Sequence, residues 1–313
     1  MQSDLTICVA ASPEDVRAWN EAKAEYLIRD IFPDGDLGTP LDEDSREYLL
    51  SADYHRQAGI ICERETDRAY RAFFELNGVR IGFCLYCTYL SEDAKCFILD
   101  FCILPEYRCQ GLGRRCFEVL INRAAHEGAE FFELNTHSRR SMHFWQSLGF
   151  VYNGYDRYGS ILLLRPPKDC GLVCTELHPD DTWQILNLEN GYKKEIGEPF
   201  LSGEQQAALI SAAGSDIRFF VLMRKTRVIG MCSVCRIFST YICTPAAIFE
   251  DFYIEPAFRG KGYARMLTRY VQDWCADGGI TSLWVGCAEA DVPMYHALGF
   301  NVALGSLLTW NKP

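Results

Sequence analysis

The chain has 313 residues, with 31 Lys+Arg against 42 Asp+Glu and a formal net charge of −11 at pH 7. That length admits two domains of ordinary size. The acidic balance argues against wrapping nucleic acid and against docking on anionic lipid, both of which need clustered cations, and it tolerates a cationic substrate.

In chain order, the apolar pattern predicts a strand at Thr6–Ala10, and Pro13 opens a helix that runs to Asp30. A second helix is expected over Asp42–Ala58. Ala69–Leu76 and Arg80–Tyr89 form a hairpin around Asn77-Gly78, a strong turn signal. Cys96–Leu104 is a strand, and the helix after Gly111 reaches His126. Strand Phe131–Asn135, helix Arg140–Leu148 and strand Ser160–Arg165 complete the first half. The second half predicts strands at Leu172–Leu177, Ile217–Met223, Val228–Ile237, Ala247–Ile254, Ser282–Gly286 and Ser306–Trp310. Its helices are expected at Asp181–Glu195, Glu204–Ala213, Gly262–Asp277 and Asp291–Leu298. Each half therefore reads as α+β, a mixed sheet with helices on its faces. No apolar run approaches the ~18 residues of a membrane span. Met1-Gln2-Ser3-Asp4 has no basic or apolar region of a secretory signal.

The 15 cysteines are odd in number and scattered through apolar stretches, which suggests a reduced cytoplasmic protein using Cys as a small hydrophobe. Two C-x-x-C pairs, Cys84/Cys87 and Cys232/Cys235, invite a zinc reading. Both lie in strand-like runs, where residues i and i+3 face opposite ways, so no metal is expected.

The chain repeats itself once. Pro105, Arg108 and Gly111 match Pro256, Arg259 and Gly262 at an offset of 151. Phe144-Trp145-Gln146-Ser147-Leu148-Gly149-Phe150 matches Met294-Tyr295-His296-Ala297-Leu298-Gly299-Phe300 at an offset of 150. Two similar domains follow, 1–165 and 171–313, with Pro166-Pro167-Lys168-Asp169-Cys170-Gly171 as linker.

In each half a strand ends at Pro, and a short Gly-bearing loop then opens an amphipathic helix. A helix start offers unpaired N–H groups and a positive dipole end, and glycine lets a phosphate come close. Arg108, Gly111 and Gly113 hold these places in the first half. Arg259, Gly260, Lys261, Gly262, Tyr263 and Ala264 hold them in the second. Neither loop is a dinucleotide fingerprint or a Walker loop.

The R-x-x-G-x-G/A loop after a strand, followed by Phe/Tyr and Leu-Gly-Phe, resembles the GNAT superfamily of N-acetyltransferases, once per half. The resemblance implies that acetyl-CoA, with no metal, is the co-substrate. It implies a mixed, mostly antiparallel sheet, split between its fourth and fifth strands to receive the CoA. Pantetheine would then pair with the fourth strand near Phe252, Tyr253 and Ile254. Tyr295 matches the tyrosine that commonly protonates the departing CoA thiolate. Trp145 stands at that place in the first half; His143 and Tyr152 have no spacing to support them as substitutes. The layout also resembles mycothiol synthases, tandem members with one degenerate half. The C-terminal half is therefore expected to be catalytic and the N-terminal half degenerate, though still able to bind CoA.

Glu250-Asp251-Phe252-Tyr253-Ile254 is similar to the segment with which diamine and polyamine acetyltransferases grip cationic amines. Adjacent strand residues face opposite sides, so one of Glu250 and Asp251 is expected to line the cleft. The reaction expected is acetyl transfer to a primary amine of a small cationic molecule. The alternatives are a non-catalytic CoA-binding module, and activity residing in the N-terminal half. No nucleic acid or membrane partner is expected, and the acceptor and the oligomeric state stay open.

Overall fold

Alternation of apolar side chains and hairpin turns builds two separate sheets. The computed structural model describes residues 4–33, 37, 42–156, 158–167, 171–215 and 217–305. The chain divides into two compact units, Met1–Cys170 and Gly171–Pro313.

The first unit begins with β1 (Leu5–Val9) and α1 (Pro13–Tyr26). Ser12 caps α1 by accepting the Asp15 N–H, and Pro13 takes the first turn, where its missing donor costs nothing. A single π-helical turn, Leu27–Ile31, extends the helix. The single helix expected over Asp42–Ala58 is two, α2 (Glu43–Leu50) and α3 (Ala52–Cys62). Ser51 breaks them: its backbone is extended (φ −75°, ψ 154°), and its hydroxyl accepts the Tyr54 N–H and donates to the Tyr48 carbonyl. The hairpin of β2 (Ala69–Leu76) and β3 (Val79–Tyr89) turns on Asn77 and Gly78, both at positive φ. Then follow β4 (Lys95–Ile103), α4 (Leu112–His126), β5 (Phe131–Thr136) and α5 (Arg139–Ser147). A strand absent from the sequence reading, β6 (Val151–Tyr155), precedes β7 (Ile161–Arg165). The sheet order is β1-β2-β3-β4-β5-β7-β6, and only β4 with β5 is parallel.

The second unit has β8 (Val173–Glu176), a 3-10 turn Pro179–Ile185, α6 (Leu186–Glu195) and α7 (Gly203–Ala212). Strands β9 (Ile217–Arg224), β10 (Arg227–Ser239) and β11 (Thr244–Ile254) form its antiparallel core. After α8 (Tyr263–Asp277), β12 (Ser282–Val285) pairs parallel with β11, and α9 (Val292–Ala297) follows. The sheet order is β12-β11-β10-β9-β8. The strand expected at Ser306–Trp310 lies outside the described residues.

Each sheet buries both faces. In the first unit, Phe74, Cys84, Tyr86 and Ile98 pack with Cys116, Phe117 and Leu120 of α4. On the other face, Phe73, Phe83, Cys87 and Cys102 pack with Trp19 of α1. Cys84 and Cys87 thus face opposite ways, as strand geometry requires. Among the described residues, no helix is long and apolar enough to cross a membrane.

Candidate active site

Parallel pairing between the fourth and fifth strands of each unit is short. In the first unit it ends at Phe97–Glu133, and in the second at Phe249–Val285. Beyond those points the strands diverge. Ile98–Ile103 and Glu250–Ile254 have no strand beside them on that edge among the described residues. A V-shaped cleft opens in both units, with strand backbone along one wall.

The glycine loop stands at the mouth of each cleft. Gly111 and Gly262 immediately precede α4 and α8, in the left-handed conformation (φ 75° and 84°). Among the described residues, no side chain caps either helix start. A Cβ built at Gly111, Gly260 or Gly262 would meet nothing within 4 Å. The space above both loops is open and faces orphan N–H groups, which fits a pyrophosphate. Gly113 is different: a Cβ there would press on the Phe144 ring at 3.2 Å, so its lack of a side chain serves packing of α4 on α5. Tyr263 and Ala264 are the first residues of α8.

The two loop arginines hold the loop. Arg108 donates from Nε to the Ile103 carbonyl (2.7 Å) and grips Asp30 through both terminal nitrogens (2.9 and 2.6 Å). Arg259 repeats this on the Ile254 carbonyl (2.8 Å) and Glu195 (2.8 and 2.7 Å). Each ties the end of the fourth strand to the end of the first helix. Lys261 donates to the Ala257 carbonyl at 3.1 Å, within its own turn. Backbone amides are therefore the main feature these loops offer an anion.

Strand alternation does not separate Glu250 from Asp251 as expected: Glu250 lies opposite Ser233 and approaches the Cys235 thiol at 3.9 Å, and a bulge brings Asp251 to the same face. Asp251 sits in a β-bulge, with φ 51°, opposite Met231–Ser233. Its carboxylate accepts from the Ser233 hydroxyl at 3.3 Å and turns towards α6. Burial raises its pKa, against the pull of Ser233 and Lys193. Glu250 is exposed. Tyr253 is buried against Tyr192 of α6, and Ile254 is buried where the strand ends. Phe252 faces the other way, with ring centroids 5.4 Å from Phe249 and 6.4 Å from Tyr295.

The Tyr295 ring packs edge-on against Phe300 (5.7 Å). Burial first, then nearby Tyr192, Cys287 and Asp291, push its hydroxyl well above the usual tyrosine range, so it stays protonated. In the first unit Trp145 fills this place. It is buried among Phe101, Phe117, Phe144 and Phe150, at centroid distances of 5.0 to 5.6 Å.

Two residues not singled out from the sequence stand opposite the strand carboxylates. Lys23 on α1 is 2% exposed and donates to Asp100 at 2.7 Å and to the Tyr54 hydroxyl at 2.9 Å. Burial opposes its charge, but Asp100 and Tyr54 outweigh it and hold the ammonium above the ordinary lysine range. In the second unit the corresponding residue is Glu189 on α6. It is 5% exposed, and its Oε2 has no hydrogen-bond partner among the described residues. Burial, then Asp251, push its carboxyl up to about 7, with Lys193 pulling the other way. A sequence signal did exist: Lys23 and Glu189 each lie ten residues after the Pro that opens the first helical segment, Pro13 or Pro179.

The first unit's cleft is a continuous cavity of about 940 Å³. It runs from Gly111 and Arg114 past Asp100 and Phe101 to Lys23 and Tyr54.

The Acetyltransferase (GNAT) family matches residues 28–150 and again 181–300. No curated protein matches the chain. Among solved structures, an acetyltransferase from Trypanosoma brucei is 21% identical, with 45% of this chain and 99% of that one covered and a TM-score of 0.37. Glucosamine-6-phosphate N-acetyltransferase from Arabidopsis thaliana is 16% identical over 45% of this chain and 99% of its own, with a TM-score of 0.37. An aminoglycoside acetyltransferase from an uncultured soil metagenomic sample, in complex with sisomicin, is 12% identical over 45% and 96%, with a TM-score of 0.41. With two family matches laid over two split sheets, the chain belongs to the GNAT family of acetyltransferases and carries its domain twice.

Proposed function

We propose that the C-terminal unit transfers an acetyl group from acetyl-CoA to a primary amine of a small cationic molecule. The observation that carries this reading is the cleft where β11 leaves β12. It lies between the uncapped start of α8 and the half-buried, protonated hydroxyl of Tyr295. The orphan amides of α8 take the pyrophosphate, and the free edge at Phe252–Ile254 takes the pantetheine. An alkylammonium of pKa ~10.4 must lose a proton before it attacks. Asp251, on the α6 side of the strand, holds the amine and receives that proton directly or through water. A β11 backbone N–H stabilises the tetrahedral oxyanion. Tyr295 then protonates the departing thiolate, a step uphill by more than the roughly 2 kcal/mol of an ordinary tyrosine because burial raises its hydroxyl.

The test is acetyl product by mass with a panel of polyamines, aminoglycosides and amino acids. Mass avoids the thiol background of 15 cysteines. Tyr295→Phe should lower kcat by about 100-fold or more with CoA affinity unchanged. Undiminished turnover would remove Tyr295 from this role.

A second reading concerns the N-terminal unit. Its cavity and open glycine loop suit CoA binding without transfer. Lys23 already occupies the carboxylate that matches Asp251, and Trp145 has no useful proton to give.

A further inference from the structure

The duplication provides a comparison within one chain. In the first unit the strand carboxylate, Asp100, faces a buried cation, the Lys23 ammonium. In the second, Asp251 faces Glu189, the residue at the same place on the first helix. One copy is a closed ion pair, and the other is two carboxylates with their cation missing. Burying like charges together is costly unless something neutralises them. Here Glu189 Oε2 is buried and unpaired among the described residues, and burial first, then Asp251, push its carboxyl up to about 7. The neighbouring charge is Lys193, one turn on in α6, whose Nζ lies 3.9 Å from Glu198. Lys193 pulls on Glu189 and Asp251, yet both stay raised, so it does not supply the missing cation. Tyr192 and Ser233 add hydroxyls around the pair, and burial first, then Asp251 and Glu189, raise the Tyr192 hydroxyl.

We infer that Glu189 and Asp251 form the subsite for the acceptor's alkylammonium group, which takes the place that Lys23 Nζ takes beside Asp100. This rests on the amine-acetyltransferase reading and deepens it by naming Glu189 as the residue that selects a cation. The first unit shows the occupied geometry: an ammonium 2.7 Å from the carboxylate with a tyrosine hydroxyl 2.9 Å away. The first unit offers such an acceptor no matching place, since its own lysine fills the position.

The experiment uses the full chain saturated with CoA. Spermidine binding is measured by calorimetry for wild type, Glu189→Gln and Glu189→Lys. Acetylation by acetyl-CoA is followed by mass, with spermidine and with 4-methoxyaniline, an amine that is neutral near pH 7. Glu189→Gln should weaken spermidine binding by about tenfold or more. Glu189→Lys, which rebuilds the pair of the first unit, should abolish it. CoA affinity should not move in either variant, and Glu189→Gln should melt no lower than wild type, which excludes misfolding as the cause. Equal spermidine affinity in wild type and Glu189→Gln would overturn the subsite. So would a wild type that binds no spermidine. If that same protein acetylates 4-methoxyaniline, the acetyltransferase reading stands without the subsite.

Discussion

At the scale of single residues, two substitutions separate the halves: Tyr295 for Trp145, and Glu189 for Lys23. The second has opposite effects on stability. Removing the charge of Lys23 leaves the nearly buried Asp100 unpaired, so Lys23→Met should cost about 3–5 kcal/mol. Glu189 is the reverse case. Its folded pKa is raised, so the folded state holds a proton that the unfolded state releases. Wild-type stability is therefore undiminished below the unfolded value near 4.5 and falls as pH rises towards 7. Glu189→Gln escapes this loss. It should be more stable than wild type by about 1–3 kcal/mol near pH 8, with the gap closing near pH 4.5. Denaturant midpoints at the two pH values measure both effects. A Lys23→Met protein as stable as wild type would mean the ion pair is not formed in solution. Tyr295 and the glycine loops were readable in the sequence because they lie at fixed spacings within local motifs. Glu189 carries only its ten-residue spacing from Pro179 as a signal, because its meaning arises across the packing of α6 on β11. A glutamate one helical turn before Lys193 reads as an ordinary solvated pair until the packing shows it buried.

At the scale of elements, the clamp between first helix and loop explains an irregularity. Asp30 lies one residue farther from Pro13 than Glu195 does from Pro179. The π-turn Leu27–Ile31 absorbs that extra residue, so both carboxylates still reach the loop arginine. The clamp sets the path of the loop, and the loop sets the direction of the orphan amides. Glu195→Ala should therefore weaken CoA binding to the second unit although Glu195 touches no phosphate. A loss of about three- to tenfold is expected, with global stability lowered by about 1 kcal/mol or less because the pair is largely exposed. Unchanged CoA affinity in calorimetry would show that the loop holds its shape without the clamp. Charge and place in the glycine loop point Arg108 and Arg259 at the phosphate; the packing shows their guanidinium groups gripping Asp30 and Glu195. Element existence was mostly legible because apolar periodicity was strong. The strand β6 escaped because Val151-Tyr152-Asn153-Gly154-Tyr155 has little alternation and pairs only with β7, across a register shift. The break at Ser51 escaped because helical periodicity runs on through it, whereas its hydroxyl bonds decide the break.

At the scale of the whole molecule, the two units have kept different parts of one machine. Both retain the split sheet, the left-handed glycine and the uncapped helix, which are the parts proposed to receive CoA. They diverge where an acceptor and a leaving thiolate would be handled. This pattern predicts two CoA molecules per chain, of which one supports turnover. A valine at either glycine forces a β-branched residue into the left-handed region, where it is strongly disfavoured. Gly262→Val should reduce the calorimetric stoichiometry from two CoA to one and remove acetyl product. Gly111→Val should reduce it to one and leave product formation intact. If Gly111→Val instead removes product, the catalytic unit is the first, and Lys23 must leave Asp100 during turnover. If wild type binds a single CoA that Gly262→Val abolishes, the first unit's cavity of about 940 Å³ serves no nucleotide. Its open loop would then be a remnant of the duplication, held in shape by the Asp30–Arg108 clamp.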